Sequence, residues 1–79
     1  MPGWSHAVYD APDGTCRVEV TDEQGTCLPV ARGLTRGQAE LLIQRLGAEA
    51  ATSQRQVATV IRDPWFMAAT VLTVKRHGL

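Results

Sequence analysis

The chain has 79 residues, a formal net charge of zero and 44% hydrophobic residues, a composition typical of a globular domain. At this length we predict one small domain over residues 1–79 with one modest core. No apolar run approaches the roughly 18 residues that cross a bilayer, and the first ten residues lack the basic and apolar regions of a signal peptide. We therefore expect a cytoplasmic protein that does not bind membranes.

The charges are segregated along the chain. Residues 1–26 hold five acidic residues and one basic residue, whereas residues 27–79 hold seven basic and three acidic residues. Seven of the eight basic residues are arginine, whose guanidinium suits bidentate recognition of carboxylates and phosphates. A GC-rich coding sequence also enriches arginine, so the bias alone does not establish a binding surface.

Three strands are predicted first in chain order. The segments "HAVYD", "TCRVEVTD" and "TCLPVAR" are separated by "APDG" and "DEQG", which favour type I turns with a left-handed glycine. With a glycine bulge in both turns, the predicted cross-strand pairs are Val8–Val18, Asp10–Cys16, Val20–Leu28 and Val18–Val30. This register gives one apolar and one mostly polar face, as expected for an antiparallel sheet covered on one side.

The same register separates the two cysteines. Cys16 falls on the apolar face and Cys27 on the opposite face, which predicts two free thiols. Pro29 has no backbone N–H to donate, so the third strand is predicted to lie at an edge of the sheet.

A helix is predicted to begin after Thr35. Thr35 and Gln38 match a capping box, and apolar residues at helical spacing follow. The predicted buried stripe consists of Ala39, Leu42, Ile43, Leu46 and Ala50. We place the end of this helix between Gly47 and Ala51.

Arg36 is unexpected in the first turn of this helix, because the helix dipole disfavours a cation there. A weak ion pair with Glu40, four residues later, offers partial compensation. A second hypothesis is an anion site formed with Arg32 and the exposed backbone amides of the helix start. The simplest interpretation is a solvated surface arginine.

The last third of the chain permits two interpretations. "QVATVIRD" and "AATVLTVKR" are rich in β-branched residues and favour strands joined by "DPWFM". The predicted fold is then α+β, an antiparallel β-meander covered on one face by one main helix, with the order β-β-β-α-β-β. The alternative is β-β-β-α-α with a C-terminal strand, because Ser53 and Gln56 match a second capping box.

No residue pattern points to catalysis or metal binding. His6, Cys16, Cys27 and His77 are the only imidazole and thiol ligands, and they lack the close pairs of a zinc motif. Cys16 with His6 is the one conceivable nucleophile and base, although a buried thiol beside a histidine is the simpler interpretation. We predict no catalytic residue, no metal, no cofactor and no enzymatic activity.

The predicted binding surface lies in the basic half of the chain. "WFM", residues 65–67, either plugs one end of the core or anchors an interface, since tryptophan and arginine are typical hot-spot residues. The predicted last hairpin would place Trp65 at its tip with basic residues beside it. The candidate partner-binding residues are Arg36, Arg55, Arg62, Trp65, Lys75 and Arg76. Tyr9 and Arg17 are predicted to face each other as a cation–π pair.

The layout "VEVTDEQG…VARGLTRGQAELLIQRL", within residues 15–46, resembles small proteins of phages and mobile elements, in which a β-meander ends in "GLT" before a capped helix. It is similar to several small anti-CRISPR proteins. The resemblance implies a phage-encoded, non-enzymatic inhibitor that binds the Cascade complex of a type I CRISPR system and blocks target DNA. It supplies no site residues, and this chain lacks the strong acidity of the DNA mimics.

Two other functions remain open from the sequence. One is a small nucleic-acid-binding or regulatory module that uses the arginine-rich half, for which binding would weaken with salt. The other is self-association through the open sheet face or Trp65. We thus expect a protein partner first and nucleic acid second, with the chain itself a monomer or a weak homodimer.

Overall fold

The computed structural model describes residues 3–77, which form three strands followed by three helices. The elements in chain order are β1 (Ser5–Asp10), β2 (Cys16–Thr21), β3 (Cys27–Leu34), α1 (Arg36–Ser53), α2 (Val57–Ile61) and α3 (Pro64–Arg76). The strands make one antiparallel sheet in the order β1-β2-β3. Helix α1 contacts all three strands as well as α2 and α3. The prediction of a small α+β domain with a β-meander is confirmed.

The register is the predicted one in the first hairpin and next to the turn of the second. The pairs Val8–Val18 and Asp10–Cys16 of the first hairpin and Val20–Leu28 of the second are all present. Both turns have a left-handed glycine, with φ of 87° at Gly14 and 86° at Gly25, as a type I turn with a glycine bulge requires.

The register of β3 differs from the prediction at its second half. Val18 pairs with Ala31 instead of Val30, and Cys16 pairs with Leu34. Extra residues in β3 produce these two shifts, which bend a strand and change the direction of the side chains that follow. As a result Leu34 is fully buried and joins the core.

The core lies between the sheet and the helices. Its buried side chains come from all elements except β1 and are Cys16, Val18, Val20, Leu34, Ala39, Leu42, Leu46, Val57, Val60 and Val74. Both thiols are free, with Cys16 buried and Cys27 exposed, as predicted.

Helix α1 begins as predicted and ends later. Thr35 and Gln38 form the reciprocal capping box. The helix continues through Gly47 to Ser53, beyond the predicted end. The indole of Trp4 lies where a side chain at Gly47 would be, since a Cβ there would stand 3.2 Å from the indole Cζ2. Glycine in mid-helix therefore provides room for an aromatic contact and does not end the helix.

The prediction of strands in the last third is wrong. Residues 57–61 form α2 and residues 68–76 lie within α3, so the order is β-β-β-α-α-α. The alternative was right about a second helix and wrong about a C-terminal strand. Asp63 caps α3 by accepting the Phe66 backbone N–H at 3.1 Å, and Pro64 occupies the first turn, where it is favoured. The helix cost of β-branched residues is below about 1 kcal/mol each, and packing on α1 outweighs it.

Helix α2 is capped from a distant part of the chain. The predicted Ser53–Gln56 capping box is absent, because Ser53 belongs to α1 and Gln56 makes no side-chain cap hydrogen bond. Instead the Glu23 carboxylate, in the turn before β3, accepts the backbone N–H of Val57 at 2.6 Å and that of Ala58 at 3.5 Å. A negative charge at a helix start is favourable, so this contact ties the sheet to α2.

Among residues 3–77 no helix combines the length and the apolar character that a membrane span requires.

Candidate protein-binding face

Helix α3 presents apolar side chains to solvent along one face. Trp65 is 86% exposed and Leu72 is 53% exposed, and both Ala68 and Ala69 between them are exposed. Spacings of three, four and seven residues place these side chains on the same side of a helix. We call these four residues the α3 stripe. Its two large side chains are about 10 Å apart along the axis.

The opposite face of α3 is part of the core. Thr70 and Val74 are buried, and Phe66, Met67 and Val71 are half-buried against the core cluster. The aromatic cluster predicted at residues 65–67 is therefore divided: two of its members stabilise the fold, whereas the tryptophan does not enter the core. Of these three residues, only Trp65 remains a candidate interface anchor.

Both ends of α3 are fixed by hydrogen bonds. At the start, Asp63 accepts the Phe66 N–H. At the end, the Gln38 side chain donates to the backbone carbonyls of Lys75 and His77 at 3.0 and 3.1 Å. Gln38 also accepts the Thr35 N–H, so one buried amide serves the start of α1 and the end of α3. The stripe thus lies on a helix held at both termini.

Arginine residues precede and follow the stripe along the chain. Arg76 follows Leu72 by four residues on the same helix face, whereas Arg62 is the C-cap of α2 and precedes α3; both arginines are exposed. Lys75 is displaced from this face, and its Nζ lies beside Gly33 in β3. Since residues 64–76 form a helix, the predicted hairpin with Trp65 at its tip is wrong. Trp65 and Lys75 lie at opposite ends of α3, about 15 Å apart along the axis.

Arg55, another predicted binding residue, connects α1 to α3. It is half-buried and donates to the carboxylates of Glu49 at 2.8 Å and Asp63 at 3.2 Å, and to the Ser53 hydroxyl. The hydrogen bond to Asp63, followed by the one to Glu49, raises the pKa of Arg55. The Phe66 backbone N–H, followed by Arg55, lowers the pKa of Asp63. The guanidinium is thus already engaged within the chain.

Arg36 also has a partner within the chain. Its Nη2 lies 2.7 Å from Oδ1 of Asp10 at the end of β1, and no ion pair with Glu40 is present in the described part of the chain. Arg36 thus joins the start of α1 to the sheet, which accounts for a cation at this position. The predicted cation–π pair is confirmed, with Cζ of Arg17 4.8 Å from the centre of the Tyr9 ring.

The acidic residues of the first 26 positions are all used within the chain. Their contacts are Asp10 with Arg36, Asp13 with Thr15, Glu19 with Arg17, Asp22 with two turn amides, and Glu23 with the start of α2. Folding therefore brings part of the acidic first third against the basic remainder, through Asp10 with Arg36 and Glu23 with the start of α2. Within residues 3–77, Arg32, Arg45, Arg62, Lys75 and Arg76 make no ion pair.

The structure does not bring the conceivable nucleophile and base together. Cys16 pairs with Asp10, whereas His6 pairs with Val20 at the other end of the hairpin. Cys16 is 3% exposed; its burial, followed by its hydrogen bond to Asp10, raises the pKa of the thiol, which disfavours the reactive thiolate. Across residues 3–77 no group of three or more histidine, cysteine or acidic side chains is placed to hold a metal ion.

Two features of this region were missed by sequence reasoning. Leu72 was not recognised as exposed, because residues 68–76 were assigned to a strand. The sequence Asp63-Pro64 is a helix-start signal that would have placed Leu72 and Trp65 on one face. The Glu23 contact with α2 spans 34 residues and has no local signal.

No protein-family model, curated protein or solved structure matches this chain.

Proposed function

We propose that the chain is a non-enzymatic protein-binding inhibitor that engages its partner through the α3 stripe. The observation that carries this proposal is the 86% exposure of Trp65 on a helix whose other face is anchored in the core. An exposed tryptophan on a fixed helix, with a second apolar side chain seven residues further along the same face, is typical of an interface anchor. Exposed apolar groups of this kind on a small domain indicate an interaction surface.

The partner we propose is a subunit of a type I Cascade complex, in keeping with the resemblance of residues 15–46 to small anti-CRISPR proteins. Binding there would block access of the complex to target DNA. The test is co-purification of the tagged chain with Cascade, together with an interference assay in cells that express the chain. Undiminished interference and no co-purification would remove this partner.

Trp65→Ala tests the binding face itself. Because Trp65 is exposed, we expect the variant to keep the thermal midpoint of the wild type and to lose about 2 kcal/mol or more of binding free energy. Phe66→Ala is the matched control, since the adjacent half-buried ring should affect folding stability instead. A Trp65→Ala variant that binds like the wild type would place the interface elsewhere.

A second candidate, nucleic-acid binding, rests on the five basic residues without an ion pair in residues 3–77. It is the weaker candidate, because Arg36 and Arg55 are engaged within the chain and Trp65 is separated from Lys75 by the length of α3. A mobility-shift titration at low salt tests it. A shift that weakens steeply with salt and is lost in Lys75→Ala would favour nucleic acid over a protein partner.

A further inference from the structure

The α3 stripe has an apolar centre, with Arg76 on the same face at the end of α3 and Arg62 in the segment just before the start of α3. Arg62 lies before Trp65, and Arg76 lies one turn after Leu72 on the same face. Since Trp65 and Leu72 are equally far from the midpoint between Ala68 and Ala69, the apolar part alone is symmetric about that midpoint. A second copy of α3, packed antiparallel, would therefore place each tryptophan against a leucine.

Charge decides against a second copy as the occupant. In an antiparallel pair of α3 helices, Arg62 of one copy meets the end that carries Arg76 of the other. In a parallel pair, each arginine meets its own equivalent. Both arrangements bring like charges together at both ends of the contact, which disfavours association. Within residues 3–77 the acidic residues other than Glu40 are engaged elsewhere in the fold, and Glu40 belongs to α1 and not to the α3 face.

From this arrangement we infer that the occupant of the α3 stripe is a protein surface with an apolar groove flanked by carboxylates at both ends. The spacing required is set by the helix: the groove receives Trp65 and Leu72, about 10 Å apart, and a carboxylate meets Arg76 about 6 Å further along the axis. Carboxylates suit the planar donor geometry of arginine. This inference rests on the proposed function and adds the chemistry of the partner.

The experiment uses a charge-reversed copy of the chain as the acidic probe. Unlabelled R62E/R76E is titrated into ¹⁵N-labelled wild-type protein, and the Trp65 indole N–H signal is followed by NMR. The probe carries the same apolar stripe with acidic ends. Unlabelled wild type and R62Q/R76Q serve as the basic-ended and neutral controls. The Trp4 indole, packed on Gly47 of α1, is the internal reference.

We expect the Trp65 signal to move with the acidic probe at a Kd about tenfold lower than with the basic-ended control, and the neutral control to lie between. The difference should shrink at high salt. Equal affinity for all three, or stronger association with wild type, would overturn the inference. Circular dichroism verifies that the probe is folded, and R62E alone provides a second probe that leaves the end of α3 unchanged.

Two further outcomes distinguish this inference from lipid binding and from the proposed Cascade partner. If anionic vesicles of 70% phosphatidylcholine and 30% phosphatidylserine move the Trp65 signal more than the acidic probe does, the face binds lipid and the inference is overturned. If the acidic probe binds as expected while Cascade does not co-purify, the chemistry of the face stands and the proposed partner fails.

Discussion

The two faces of α3 use similar residues for opposite purposes. On the inner face, Phe66 and Val74 pack into the core, and the nearby Arg55 has two carboxylate partners. On the outer face, Trp65 and Leu72 contact solvent, and the arginines beside them have no ion-pair partner within residues 3–77. Residue type alone therefore does not separate the buried side of α3 from its exposed side; the presence of an intramolecular partner does.

The largest expected effect is on folding stability, and it appears when a buried leucine is compared with an exposed one. Leu46 is fully buried whereas Leu72 is 53% exposed. We expect Leu46→Ala to lower the free energy of unfolding by about 3 kcal/mol and Leu72→Ala by only about 0.5 kcal/mol. Urea denaturation followed by circular dichroism measures both. Equal losses would mean that the outer face also stabilises the fold.

Glu23→Ala removes the long-range cap of α2. We expect a loss of about 1 kcal/mol in unfolding free energy, because two amides at the start of the helix lose their acceptor. Gln24→Ala, in the same turn and exposed, is the matched control and should leave stability nearly unchanged. Indistinguishable denaturation curves for the two variants would show that solvent replaces the Glu23 contact at no cost.

Asp63→Asn removes the charge of the carboxylate that pairs with Arg55 and caps α3. The pKa of Asp63 lies below its ordinary value of 3.8, so its ionised form stabilises the folded state above pH 3.8. This stabilisation is lost as the pH falls through the lower folded-state value. We expect the thermal midpoint of wild type to fall more steeply than that of Asp63→Asn below about pH 4. Glu40→Gln is the control, and it should follow the wild-type curve.

The smallest effect concerns the contact of Trp4 with Gly47. Glycine to alanine inside a helix usually stabilises by about 1 kcal/mol, but here the new Cβ would stand 3.2 Å from the indole. We expect no gain from Gly47→Ala. Gly37→Ala, with nothing within 4 Å, should gain about 0.5 kcal/mol. A full gain at Gly47 in thermal denaturation would mean that the indole moves aside freely.

Local signals made most of the fold predictable. The two turns and the Thr35–Gln38 capping box depend on residues within four positions of each other, and both were predicted. The prediction for the last third of the chain failed because its β-branched residues have only a weak local preference for strands. The packing against α1 outweighs that preference. Of the bulges that bring Leu34 opposite Cys16, one contains Gly33 with a φ of 73°, a local feature that the register prediction did not use.

The candidate site was predictable to a lesser extent. Trp65 was identified from residue type, but its neighbours on the surface depend on whether α3 is a helix. Arg36 and Arg55 were grouped with it on charge alone. Their partners, Asp10 and Asp63, lie 26 and 8 residues away and have no spacing rule that would reveal them.

The contact between Glu23 and α2 also makes the stability of α2 depend on the sheet. A five-residue helix is too short to persist by itself, and its cap is supplied by the turn between β2 and β3. Hence α2 depends for its stability on this turn as well as on its packing against α1 and α3. A fragment that begins at α1 would keep every residue of α2 yet lack the carboxylate that stabilises its first turn. The helical layer therefore needs the sheet for its full stability.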